Sequence, residues 1–158
     1  MRYVMKQKMF AVRDQIAIRN EKDEDVFLVN GKLFSIGKKL SFQDAQGNEV
    51  LFIKQKVPSL TPTYEIFKNG QPVASVKKEM LKLKPTFAIK VDGGKDMTAQ
   101  GSLTDHEYSM TRDGAEVAHI SRKWFSVADT YGVDVQEGED PALILACTVA
   151  IDMSHHQK

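Results

Sequence analysis

Cysteine is nearly missing from this chain: Cys147 stands alone among 158 residues, so no intrachain disulfide can form. No cationic segment followed by an apolar one opens the chain at Met1 to Phe10, and with the lone thiol this points to a reducing, cytoplasmic setting. Long apolar runs are missing too. The longest, Pro141 to Ile151, has about half of the roughly 20 residues that a membrane-spanning helix needs, so no transmembrane segment is expected. A nucleophile elbow, a phosphate-binding glycine loop, a dinucleotide fingerprint and a zinc-spaced cluster are all absent. We therefore expect no catalytic residue, no metal, no cofactor and no enzymatic role.

What is present is the composition of one folded domain spanning residues 1–158. Apolar residues make up 42% and charged residues 27%, close to the averages for folded proteins, and the length suffices for a single core without staples. The net charge of +1 hides a polarity: residues 1–90 hold 17 Lys and Arg against 9 Asp and Glu, whereas residues 91–158 hold 5 against 12. Either the two halves neutralise each other within the fold, or they leave a basic face for an anionic partner.

Short runs rich in Val, Ile, Phe, Tyr and Thr, each bounded by Gly, Asn, Asp or Pro, predict about twelve strands. The expected spans are 3–8, 15–19, 25–30, 34–43, 49–57, 63–68, 73–79, 85–91, 97–103, 106–112, 116–124 and 129–136. Gln46-Gly47-Asn48, Asn69-Gly70 and Asp113-Gly114 are tight-turn sequences, so neighbouring strands should run antiparallel. Tyr64 to Val91 aligns without a gap on Tyr108 to Val135, an offset of 44 residues, with Tyr, Gly, Val and Ala recurring at matching places. One hairpin plan is used twice, and Gly47 to Val57 echoes it. Alternation puts Leu51, Ile53, Ala74, Val76, Ala118 and Ile120 inward. Lys54, Lys56, Lys77, Glu79, His119 and Lys123 then face solvent.

The C-terminal segment sets the architecture. Asp140 followed by Pro141 predicts a helix start, and the run to Ile151 is then apolar on every side. A helix lying on a sheet would show a polar stripe, so this one must be surrounded. A closed barrel surrounds it and removes exposed strand edges; a two-sheet sandwich with the helix plugging one end is the other solution.

Several segments carry a resemblance. Tyr3-Val-Met-Lys-Gln-Lys8, Val29-Asn-Gly-Lys-Leu-Phe-Ser-Ile-Gly-Lys38 with Leu40-Ser-Phe42, and Asp140-Pro-Ala-Leu-Ile-Leu-Ala146 through Ile151-Asp152 resemble the bacterial branch of the LURP-one-related proteins. That family is grouped with the tubby C-terminal domain and the phospholipid scramblases. The resemblance implies a mainly β fold: a twelve-stranded antiparallel barrel with strands within 3–136, closed around a hydrophobic helix at 140–153. The tubby phosphoinositide motif has no counterpart here, so none of its residues carries over. The scramblase calcium segment would fall at Asp129 to Asp134, where the first, third and fifth positions are Asp129, Tyr131 and Val133 and Asp134 is sixth. A calcium loop wants oxygen ligands at those three and Gly at the sixth, so no calcium site is expected.

Among reactive side chains, His106 falls in a short joint between strands, His119 on a strand surface, and His155 and His156 in a tail where they would diverge. Cys147 is expected in the core, and Trp124 is expected to cap the barrel, with a place at a pocket mouth as the other reading. The one positive functional sign is basic. Lys77, Lys78, Lys82 and Lys84 crowd one hairpin, with Lys54 and Lys56 at equivalent places in the preceding echo. Edge lysines also discourage strand pairing, and that role competes. Nucleic acid is not expected, because the tract lacks interleaved aromatics and the domain is near neutral. The leading expectation is a non-enzymatic binding module for an anionic ligand such as a lipid headgroup at a membrane surface. The alternative is an interaction or regulatory domain with an unknown protein partner and no lipid binding.

Overall fold

Alternation along each strand decides which side faces in. In the segment from Glu49 to Gln55, Leu51 and Ile53 are buried and Lys54 is exposed; from Gln71 to Lys78, Ala74 and Val76 are buried and Lys77 is exposed. All six residues expected to point inward are buried. The computed structural model describes residues 1–6, 15–32, 38–102, 107–124 and 130–155. In chain order the strands are β1 (Arg2–Lys6), β2 (Gln15–Arg19), β3 (Asp25–Lys32), β4 (Lys39–Asp44), β5 (Glu49–Gln55) and β6 (Thr63–Lys68). They continue as β7 (Gln71–Lys78), β8 (Thr86–Val91), β9 (Met97–Ser102), β10 (Glu107–Arg112), β11 (Ala115–Ser121) and β12 (Thr130–Val135), before the helix α1 (Pro141–His155). Each strand pairs antiparallel with its chain neighbours, and β1 pairs with β12, so the sheet closes into a barrel.

The repeat is structural. Asn69 and Gly70 have φ of 51° and 78°, and Asp113 and Gly114 have 51° and 79°, the two successive positive values of a type I′ hairpin turn. Both hairpins shift register at equivalent places, between Ile66 and Phe67 and between Met110 and Thr111.

The helix lies in the lumen. Asp140 Oδ1 accepts the N–H groups of Ala142 and Leu143 at 3.1 and 3.4 Å, and Pro141 occupies the first helical position, where no N–H is needed. Residues 144–151 are all buried, and a run that long exceeds two helical turns, so every side of the helix is covered. It touches β5, β6 and β7 on one wall and β12 on the other. Thr148 and Ser154 satisfy their hydroxyls on the carbonyls of Ile144 and Ala150, both at 2.9 Å, which lets two polar residues sit in this core. Near its end, Asp152 accepts the Tyr131 hydroxyl and ties the helix to β12.

Two expectations change. The strand foreseen at 116–124 stops at Ser121, whose Oγ accepts the Lys123 N–H at 3.1 Å and turns the chain. Trp124 consequently folds back over the outer wall instead of capping the barrel: the Arg2 guanidinium lies 3.8 Å from its ring centroid and the His119 ring meets it at 5.9 Å.

Candidate functional site

An up-and-down barrel sends alternate connections to opposite rims. The turns after β4, β6 and β10 lie at one rim; the longer connections 56–62 and 79–85 lie at the other, side by side. The Lys78 N–H donates to the Pro62 carbonyl at 3.1 Å and joins them.

Register brings part of the basic tract together. Lys39 pairs with Lys54, Lys54 with Glu65, Glu65 with Ser75 and Ser75 with Lys90, so these residues form one outward row across β4 to β8. Lys56 donates its N–H to Thr63, which pairs with Lys77, making a second row nearer the long-loop rim. Lys54 on β5 and Lys56 just past its end are thus about 7 Å apart, and Lys77 lies about 10 Å away across β6. Lys78 is half-buried at the rim, and Lys82 and Lys84 are exposed in the 79–85 connection. Lys82 pairs with Glu79 at 3.6 Å; among the described residues the other five lysines form no ion pair. The six lysines therefore form two adjoining groups, one on the wall and one on the rim. Lys39 and Lys90 join the wall group. Lys38 borders it, its N–H on Gln55 Oε1 at 3.1 Å, and burial pulls its ammonium below the ordinary lysine pKa.

Among the described residues the ion pairs stay almost entirely within each charged half. Arg19 pairs with Asp23 and Asp25, Lys95 with Asp113, and Arg112 with Glu139, each within its own half. Among the described residues only the N-terminal ammonium, 3.7 Å from Asp134, crosses between them. The barrel is electrically polarised across its girth.

On the acidic side, His119 Nδ1 lies 3.0 Å from Ser109 Oγ and His119 Nε2 lies 2.9 Å from Glu107 Oε2. A hydroxyl, an imidazole and a carboxylate in series are the parts of an acyl-transfer relay. Here, however, the Ser109 hydroxyl donates to Glu116 Oε2 at 2.7 Å, and Ser109 and His119 face each other in the β10–β11 register, so these hydrogen bonds tie one strand to the next. The network clamps two strands. Burial disfavours the Glu107 carboxylate, but hydrogen bonds from Ser121 and His119 and the charges of His119 and Lys123 hold its pKa below the ordinary value. Cys147 is fully buried as expected, and burial pushes its thiol up to about 12. His106, Asp129 and His156 lie outside the described residues. Among those described, no group of His, Cys, Asp and Glu is placed to hold a metal, and no helix is long and apolar enough to cross a membrane.

The family model described as LURP-one-related matches residues 1–152. The chain belongs to the LURP-one-related family. This LURP-one-related barrel is 35% identical over 150 residues to the uncharacterized protein YxjI of Bacillus subtilis, covering 94% of this chain and 90% of that protein. Its fold is similar to the X-ray structure of a protein from Arabidopsis thaliana, with a TM-score of 0.69 over 99% of this chain and 92% of that one at 14% identity. At that identity the likeness speaks for the LURP-one-related fold alone.

Proposed function

We propose that this LURP-one-related barrel is a non-enzymatic binding module for anionic lipid headgroups, docking peripherally on the cytoplasmic side of a membrane through its basic wall and rim. The observation behind this reading is the cluster of lysines on β5, β7 and the adjoining rim, of which, among the described residues, only Lys82 has a carboxylate partner in Glu79, while Glu65 is the one carboxylate in the wall row. Each lysine near an anionic surface contributes about 1 kcal/mol, so four give ~4 kcal/mol, or about a thousandfold in partitioning. Such attraction fades once the Debye length falls below about 10 Å. The protein should co-sediment with phosphatidylglycerol-containing vesicles at low salt, release as salt rises, and ignore pure phosphatidylcholine. Failure to bind the anionic vesicles at low salt would remove the lipid reading and put a protein partner in its place.

A further inference from the structure

The rim connections 56–62 and 79–85 carry an unusual load of exposed apolar residues. Leu60 is 97% exposed, Leu81 101% and Leu83 107%, with Val57 and Met80 also exposed. Scattered exposed leucines need no explanation, but these crowd two neighbouring connections on one rim. Leu60 and Leu81 flank one shallow groove of about 490 Å³ between them. Lys56, Lys78, Lys82 and Lys84 alternate with them along the chain, against the single carboxylate of Glu79.

The backbone adds a second observation. Leu81 has φ of 61°, the left-handed region that costs a branched L-residue energy and that glycine enters freely. A fully exposed leucine recovers none of that cost through packing in its own fold. Strain of this kind collects where a side chain is presented for use.

We propose that these two connections insert Leu60, Leu81 and Leu83 into the interface of an anionic bilayer while the interleaved lysines engage the headgroups around them. The inference rests on the anionic-lipid reading above and gives it a depth and an orientation, with the long-loop rim facing the membrane. Apolar tips enter about 5–10 Å, to the boundary between headgroups and acyl chains, and lysine stems lie along apolar surface while their ammonium groups stay at the phosphates. Charge complementarity selects a lipid surface over a protein one: the tips are framed by cations, and fully protruding leucines lack the packed surround of a protein hot spot.

The test uses the full chain and vesicles of phosphatidylglycerol and phosphatidylcholine. Changing Leu60, Leu81 and Leu83 together to Ser should lower the partition coefficient by about tenfold per leucine at a salt concentration where wild type binds. The salt dependence should remain. Leu81→Gly should raise the thermal midpoint, because strain is relieved, and yet weaken partitioning about tenfold. An environment-sensitive fluorophore on Leu81→Cys should brighten on binding and be quenched by lipids spin-labelled in the upper acyl chain, whereas one on Lys95→Cys, at the opposite rim, should not respond. If wild type never binds anionic vesicles, headgroup binding and insertion both fall. If wild type binds with salt dependence but the serine variant binds equally and the fluorophore stays dark, insertion falls and headgroup binding stands. A fluorophore at position 81 that responds to a protein and not to vesicles would likewise overturn insertion.

Discussion

Cys147 shows how position in the barrel overrides the chemistry of a residue type. A free thiol is reactive as its thiolate; with burial pushing its pKa up to about 12, the thiolate fraction near pH 8 drops by roughly a thousandfold, and the surrounding helix and walls block access. The native protein should therefore resist a water-soluble disulfide reagent until denaturant is added, and rapid native labelling would contradict the lumenal helix. The same shift makes a pH prediction. The group is neutral when folded and ionises on unfolding from an ordinary value near 9. Its contribution is thus complete below about pH 9 and is lost as pH rises toward 12, on the order of 4 kcal/mol in all. Burial also raises Tyr64, Tyr108 and Tyr131 above the ordinary tyrosine value, which extends the loss above pH 10. Denaturant midpoints should decline from about pH 9 upward, and in Cys147→Ala the first part of that decline, between pH 9 and 10, should flatten.

At the scale of elements, α1 is the part on which the rest depends. Ile144, Leu145, Val149, Ile151 and Met153 are all buried, and together they account for roughly 10 kcal/mol, comparable with the whole stability of a domain. A chain ending at Glu139 keeps every strand but should be insoluble or lack a cooperative unfolding transition; a soluble, cooperatively unfolding product would show the helix to be peripheral. Most of this level was legible in the residues. The unbroken apolar run after Asp140-Pro141 demanded an enclosure, and β2 and β6 match their expected spans end for end. The register shift between Met110 and Thr111 was not legible, because a bulge depends on how two strands meet rather than on either one. Trp124 was misplaced for a related reason: its side chain goes where the Ser121 turn sends it, and alternation says nothing past the end of a strand.

The whole molecule is a dipole as well as a barrel. The split between a basic first part and an acidic remainder could be counted in the sequence, but its survival in the fold depended on which strands are neighbours. The ring order places β4 to β8 on one side and β10 to β12 on another, so contacts between the halves are confined to seams. Lys54, Lys56 and Lys77 were legible from alternation; Lys39 and Lys90 were not, since only register puts them beside Lys54. The exposed leucines were hidden because an apolar residue in a strand joint gives no sign of whether anything covers it. Binding that depends on where the charge sits, and not on its sum, is the central functional claim. Its most direct test is vesicle co-sedimentation of two variants with equal net charge. One changes Lys54, Lys56, Lys77 and Lys84 to Gln. The other changes Lys95, Arg122 and Lys123 to Gln and Gln136 to Glu, all in the acidic half. At low salt on anionic vesicles, the first should lose about a hundredfold or more in partitioning, and the second should bind within a fewfold of wild type. Equal loss in both, or none in either, would contradict the account.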